Sequence, residues 1–318
     1  MITASMKKRC ITTALALLTS LSATVTYAKE KDMTLMLDWF VNPNHGPIII
    51  AEKNGYFKDQ GLNVKIQEPA DPTVPAKLVA AGSVDMAVSY QGALTIDVAA
   101  GLPLIRSATL ISTPLNTLTV LEKSGIKTLQ DFDGKKIGTT GGEDNTIKTM
   151  LKNAGVDVDT VQIVNVGWAL SSSLASGQVD GIWGGMRNFE TNQLELEGFK
   201  PHDFFPEEHG LPSYDELVFV ANANKYDAET IKMFNASLEL ATQFIVNHPE
   251  KAWDVFVSYA PDTLDNELNR RAWLDTLTRF ALRPSAVDLN RYDRFSEFMF
   301  EQGLIKVLPK AQDFVPTL

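Results

Sequence analysis

The chain has 318 residues, with 29 basic against 39 acidic side chains and a formal charge of −10. Hydrophobic residues at 44% and charged residues at 21% describe an ordinary globular protein, which excludes collagen-like, disordered and coiled-coil classes. The acidic balance also argues against a general nucleic-acid binder, which needs a basic stripe to displace phosphate counterions.

In chain order, the first element reads as a secretory signal over residues 1–28. Lys7, Lys8 and Arg9 precede the apolar stretch Ile11–Leu21, and Thr26-Tyr27-Ala28 closes it with small residues at −3 and −1. That apolar run is too short to span a bilayer. The only cysteine, Cys10, lies ahead of the apolar run, where a lipid-anchor cysteine would not. The expected mature protein is therefore free of thiols although bound for an oxidising compartment. The expectation is a soluble, exported, periplasmic protein.

Met33–Leu37 is a short apolar run that reads as a buried strand ending at Asp38-Trp39. Pro47 opens a helix to Lys53, closed by Asn54-Gly55. Leu62–Gln67 alternates as a strand, Pro75–Ala81 is helical up to Gly82, and Val84–Val88 is the next strand. Strands alternating with short helices imply an α/β fold with largely parallel sheets.

The same grammar then recurs. Leu78-Val79-Ala80-Ala81-Gly82-Ser83-Val84-Asp85 resembles Ser173-Leu174-Ala175-Ser176-Gly177-Gln178-Val179-Asp180. Two copies of one unit predict two similar lobes, each a mixed sheet flanked by helices. Ala108–Ile111 and Leu217–Asn222 are apolar segments that enter and leave the second copy. The expected division is 29–113 plus 222–318 for the first lobe and 114–221 for the second. The C-terminal part shows helical spacing over Glu229–Asn247, Pro249–Tyr259, Leu264–Ala281 and Asp288–Gln302. A ligand is expected in the cleft between the lobes, where strand C-termini converge.

Two segments now carry a family resemblance. They are Asp38-Trp39-Phe40-Val41-Asn42-Pro43-Asn44-His45-Gly46-Pro47 and Asn54-Gly55-Tyr56-Phe57 through Gly61-Leu62-Asn63-Val64. Together with Gly134-Lys135-Lys136-Ile137-Gly138 and the two Val-Asp steps, they resemble the substrate-binding proteins of ABC importers for nitrate, sulfonates, taurine and thiamine-precursor pyrimidines. Yeast-type pyrimidine synthases share the pattern. The aromatic-Asn-Pro-x-His opening, Asn188-Phe189-Glu190 and Pro212-Ser213-Tyr214-Asp215-Glu216-Leu217 are closest to the branch binding formylaminopyrimidine or hydroxymethylpyrimidine. The resemblance implies a two-lobed type II periplasmic binding protein, a monomer that hands an aminopyrimidine to an inner-membrane ABC permease.

In the synthases of this group, a cofactor lysine and a donor histidine follow the strand equivalent to Val84–Val88. Here those positions hold Ser89 and Ala93, and the synthases' cysteine cluster is missing. Without an amine no Schiff base can form, so the expectation is a non-enzyme with no cofactor. The three scattered histidines His202, His209 and His248 propose no metal motif.

Candidate ligand residues sit at strand ends. Asp38 and Trp39 close the first strand, and the Trp39 ring could stack on a planar ligand or cap the core. Asn44 and His45, in the helix-entry loop, could donate to ligand or to backbone. Tyr90 and Gln91 follow the third strand with a second aromatic face and an amide. Gly141, Gly142 and Glu143 form a glycine turn before a helix, able to offer backbone N–H groups or simply to cap that helix, with no P-loop ending. Trp183, Arg187, Asn188 and Glu190 follow the second lobe's copy of the strand. Glu190 can accept from an exocyclic amine and, protonated, donate to a ring nitrogen. Alternatively, Glu190 and Arg187 form a surface pair. Tyr214 and Glu216 precede the return crossing. Riboflavin, sulfonates, taurine and nitrate are the rival ligands, a pyrimidine-synthase-like enzyme is the rival class, and Arg187 is the main basic residue in these segments.

Overall fold

A computed structural model describes residues 30–141 and 146–316. The expected signal segment lies outside the described residues, as do Gly142 and Glu143 of the glycine turn. In chain order the first part is β1 (Lys31–Met36), α1 (Gly46–Lys53), α2 (Tyr56–Asp59), β2 (Leu62–Gln67), α3 (Pro75–Ala81), β3 (Met86–Ser89), α4 (Gln91–Ala99) and β4 (Leu104–Ile111). Next come β5 (Asn116–Leu121), β6 (Lys136–Thr139), α5 (Thr146–Asn153), β7 (Gln162–Asn165), α6 (Leu170–Ala175), β8 (Gly181–Met186), α7 (Glu190–Leu196) and β9 (Pro201–Phe204). The chain returns through β10 (Leu217–Asn222) to α8 (Ala228–Asn247), α9 (Pro249–Val257), α10 (Pro261–Leu264), α11 (Glu267–Thr276), α12 (Leu289–Glu301) and α13 (Ala311–Phe314).

The strands form two five-stranded mixed sheets, ordered β2-β1-β3-β10-β4 and β7-β6-β8-β5-β9. In each, three parallel strands are followed by one antiparallel strand that pairs onward to the last. The repeated sequence unit has one physical meaning in both. Gly82 and Gly177 share a left-handed φ of 75°, which ends α3 and α6. The next residues, Ser83 and Gln178, donate back to Leu78 and Ser173. The aspartates then do equivalent work. Asp85 Oδ2 accepts from the Thr34 N–H in β1, and Asp180 Oδ2 from the Lys136 N–H in β6, both at 2.8 Å.

Each sheet has its own core. Leu35, Val88, Ile111 and Phe219 pack with Phe234 and Trp273 beneath the first sheet, and Leu118, Ile137, Met150 and Trp183 pack within the second. Two sequence expectations need correction. Leu217–Asn222 lies wholly in the first sheet, so the second crossing falls between β9 and β10 rather than at residue 221. Leu264–Ala281 is not one helix. Asn266 breaks it by capping α11, its side chain accepting from the Asn269 N–H, and Phe280 leaves helix to bridge Ile111 at the edge of β4.

Candidate functional site

A cavity of about 600 Å³ lies between the two sheets, within the range of small-molecule sites. From the first sheet it is lined by Asp38 and Trp39 beyond β1 and by Ser89 and Tyr90 at the end of β3. From the second it is lined by Thr139 at the end of β6 and Thr140 and Gly141 beyond it, by Trp183, Gly184 and Met186 of β8, and by Phe189 and Glu190 at the start of α7. The crossings add Asn116, Tyr214 and Glu216.

The loop after β1 is built to present Asp38. Asn42 Oδ1 accepts from the Asn44 N–H at 2.9 Å, and the Asn42 N–H donates to His45 Nδ1 at 3.2 Å. With Nδ1 an acceptor, the His45 proton sits on Nε2 and is donated to Asp38 Oδ1 at 2.9 Å. The Tyr90 hydroxyl donates to Asp38 Oδ2 at 2.6 Å. Burial alone would push the Asp38 carboxyl up, but the bonds from His45 and Tyr90 outweigh it and hold Asp38 below its ordinary value. Tyr90 is pushed well up by burial and by the nearby carboxylates of Asp38, Glu216 and Glu190.

Two further carboxyl groups face the cavity. Glu190 accepts the Met186 N–H at 2.7 Å, yet burial dominates and pushes its carboxyl up to about 7. Glu216 Oε2 accepts the N–H groups of Leu115 and Asn116, at 2.5 and 2.8 Å, and burial raises its carboxyl as well. Among the described residues no cluster of three His, Cys, Asp or Glu side chains is placed to hold a metal. The cationic side chains in the cavity wall are Lys77 and Lys148, both exposed.

Several candidates from sequence reach the cavity: Asp38, Trp39, Asn44, Tyr90, Gly141, Trp183, Glu190 and Tyr214. Gly141 needs to be glycine, with φ at 91° and an added Cβ only 2.8 Å from Asn165 Nδ2. Its N–H is turned back to Thr139 Oγ1 at 3.3 Å. Trp183 and Tyr214 line the cavity while belonging to buried clusters.

Four candidates do not line it. His45 is fully buried and spends both ring nitrogens on the loop. Gln91 is likewise buried, its Oε1 accepting the Asp215 N–H at 2.8 Å. Arg187 does not pair with Glu190. Its guanidinium instead bonds Glu207 at 2.7 Å, the carbonyls of Leu115 and Asn116, and the face of Phe205. Asn188 donates to Asn44 Oδ1 and Thr276 Oγ1, each at 2.7 Å, tying α7 to the first-sheet side.

The structure also brings in residues that sequence reasoning passed over. Trp168, beyond the end of β7, packs on Trp39 with ring centroids 4.0 Å apart, and Phe40 meets Phe189 at 6.1 Å. Trp168 is 43% and Phe40 41% exposed, so this aromatic contact joins the two sheets' loops at the solvent edge. Their position just past strand ends was the available signal.

Ser89 and Ala93, where the synthases carry a lysine and a histidine, both line the cavity. Residues Met86–Leu94 hold no lysine, and the cavity-wall lysines, Lys77 and Lys148, come from other segments.

A model of the NMT1/THI5-like family matches residues 42–252. The chain is 50% identical over 287 residues to a thiamine biosynthesis protein of Haemophilus influenzae, covering 90% of each. It is 32% identical over 228 residues to the formylaminopyrimidine-binding protein of Halalkalibacterium halodurans, covering 70% of this chain and 69% of the relative. The solved structure of the alkanesulfonate-binding protein SsuA from Xanthomonas axonopodis pv. citri superposes with a TM-score of 0.71. That match is 16% identical and covers 90% of this chain and 98% of the other. The likeness shows a shared two-lobed fold, not a shared ligand.

Proposed function

Because the chain belongs to the NMT1/THI5-like family and folds as a two-lobed periplasmic binding protein, we propose that it is the solute-binding component of an ABC importer. Its ligand is a thiamine-precursor aminopyrimidine, formylaminopyrimidine or hydroxymethylpyrimidine. It acts in the periplasm, catalyses no reaction and delivers its ligand to the permease.

One observation carries the choice of ligand. Three buried carboxyl groups, Asp38, Glu190 and Glu216, line one cavity, while the arginine nearest Glu190 in sequence, the half-buried Arg187, is spent elsewhere. A sulfonate or nitrate would face three buried carboxyl groups, while the cations of the cavity wall, Lys77 and Lys148, are exposed and leave the buried charge without a buried partner. An aminopyrimidine presents the complement, an exocyclic amine as donor beside ring nitrogens as acceptors. Carboxylates take the amine, and a protonated Glu190 can donate to a ring nitrogen. Trp39 and Tyr90 offer flanking aromatic surface.

The test is thermal shift and calorimetry of refolded protein against both pyrimidines, thiamine, riboflavin, taurine, an alkanesulfonate and nitrate. At about 100 times its dissociation constant a ligand stabilises by roughly 2.7 kcal/mol. Saturable binding of a pyrimidine with no response to the anions is expected. An anion response without a pyrimidine response refutes the assignment.

A further inference from the structure

Glu216 stands where the cavity meets both chain crossings. It is 2% exposed and lines the cavity; its Oε2 holds the backbone N–H groups of Leu115 and Asn116, and the Tyr214 side chain, also in the cavity wall, hydrogen-bonds the same carboxyl. Those residues end the first crossing and open β5. Asn116 passes the linkage on, its Oδ1 accepting the Gly184 N–H of β8 at 3.0 Å. The neighbouring Asp215 turns the other way, accepting from Thr109 Oγ1 and the Tyr292 hydroxyl and pairing with Arg291, each at 2.8 Å. Within two residues the second crossing is therefore fastened to the first sheet and also carries the first crossing.

We propose that Glu216 couples recognition to closure, taking an N–H donor of the ligand on the same carboxylate that holds the crossing backbone. A ligand with that donor orients the carboxylate, and so fixes Leu115, Asn116 and β8 in the closed arrangement. One lacking the donor occupies the cavity without fixing the crossings. This rests on the aminopyrimidine reading for its probe.

The experiment compares hydroxymethylpyrimidine with the analogue whose 4-amino group is a methyl, on wild type, Glu216→Gln and Glu216→Ala. Affinity is read by calorimetry, closure by small-angle scattering, and the 115–116 amides by hydrogen exchange. Gln keeps an oxygen for the two N–H groups but turns a donor toward the ligand amine.

In wild type, the amine should bind at least tenfold more tightly than the methyl analogue and alone should compact the protein. Glu216→Gln should keep the crossing amides protected yet lose most of that preference and the compaction. Glu216→Ala should also lose the protection. A Gln variant with wild-type preference and closure overturns the proposal. So does one that weakens both probes equally, which marks a purely structural clamp. If Glu216→Gln does not fold, equal compaction of wild type by both probes still overturns the proposal. A wild type that binds no pyrimidine refutes the ligand assignment instead, before any variant is made.

Discussion

Replacing Glu190 with glutamine tests whether burial, rather than a charged partner, governs the carboxyl in the cavity wall. Glu190 opens α7, is 8% exposed and accepts one backbone N–H, from Met186. Burial outweighs that bond and moves the carboxyl from an ordinary 4.5 to about 7. Moving a proton equilibrium by one pH unit takes about 1.4 kcal/mol, so the charged form costs the fold about 3 kcal/mol. The sign follows from linkage. The group is raised in the folded state, so its contribution is fully present below about 4.5 and is lost as pH rises through about 7. Glutamine keeps the oxygen that accepts from Met186 but cannot ionise. In urea unfolding of ligand-free protein, Glu190→Gln should therefore gain on wild type between about pH 5 and about pH 8, by up to about 3 kcal/mol. Other titrations cancel in the difference between the two proteins. A difference that is the same at both pH values would refute the reasoning.

His45→Ala removes the Nε2–H donor from Asp38 and should destabilise by about 1–3 kcal/mol at neutral pH. Asp38 is held below 3.8, so its contribution is present above that value and fades as pH falls through the lowered folded one. The variant's deficit, read by denaturant titration, should shrink there. Gly46→Ala would set a Cβ 2.8 Å from the Trp273 ring and 3.0 Å from Phe280. Both rings are buried and cannot swing aside, so a loss of about 1–3 kcal/mol is expected in thermal unfolding. Trp168→Ala deletes the ring packed on Trp39 across the two sheets' loops. Aromatic pairs contribute about 0.5–1.5 kcal/mol, so stopped-flow ligand release should accelerate about 2- to 10-fold. An unchanged release rate would show that the contact does not restrain opening.

The parts of the fold that were legible from sequence are those where one local cause fixes one element. Pro75 and Gly82 bound α3 as the sequence suggests, and β2 occupies the residues its alternation predicts. The duplicated Val-Asp step was visible, although its reason, an aspartate accepting from the neighbouring strand, needs the sheet. Site residues were less legible because sequence shows which groups can bond but not what they already bond. His45 and Gln91 have suitable chemistry and sit beside the cavity, yet the Asn42 N–H and Asp38 claim the His45 ring and the Asp215 N–H claims Gln91 Oε1. Arg187 is the natural anion ligand by sequence, but Glu207, 20 residues on, holds it. Trp168 is far from Trp39 in sequence, and only the approach of the two sheets brings the rings together.

The three cavity carboxyls are each anchored to a different part of the fold. Asp38 is held by His45 and Tyr90, both from the first-sheet side. Glu190 is held by the backbone of β8, in the second sheet. Glu216 is held by the crossings themselves. A solute that bonds Asp38 alone gains nothing from bringing the sheets together. On the proposed function, one that reaches both Asp38 and Glu190 bridges the two sheets, so its binding energy would favour the arrangement that holds both contacts. Contact with Glu216 adds a requirement on the crossings, through which closure must pass. Discrimination between solutes then depends on the spacing of donors around one ring, because only the full set rewards the closed state that a permease could recognise.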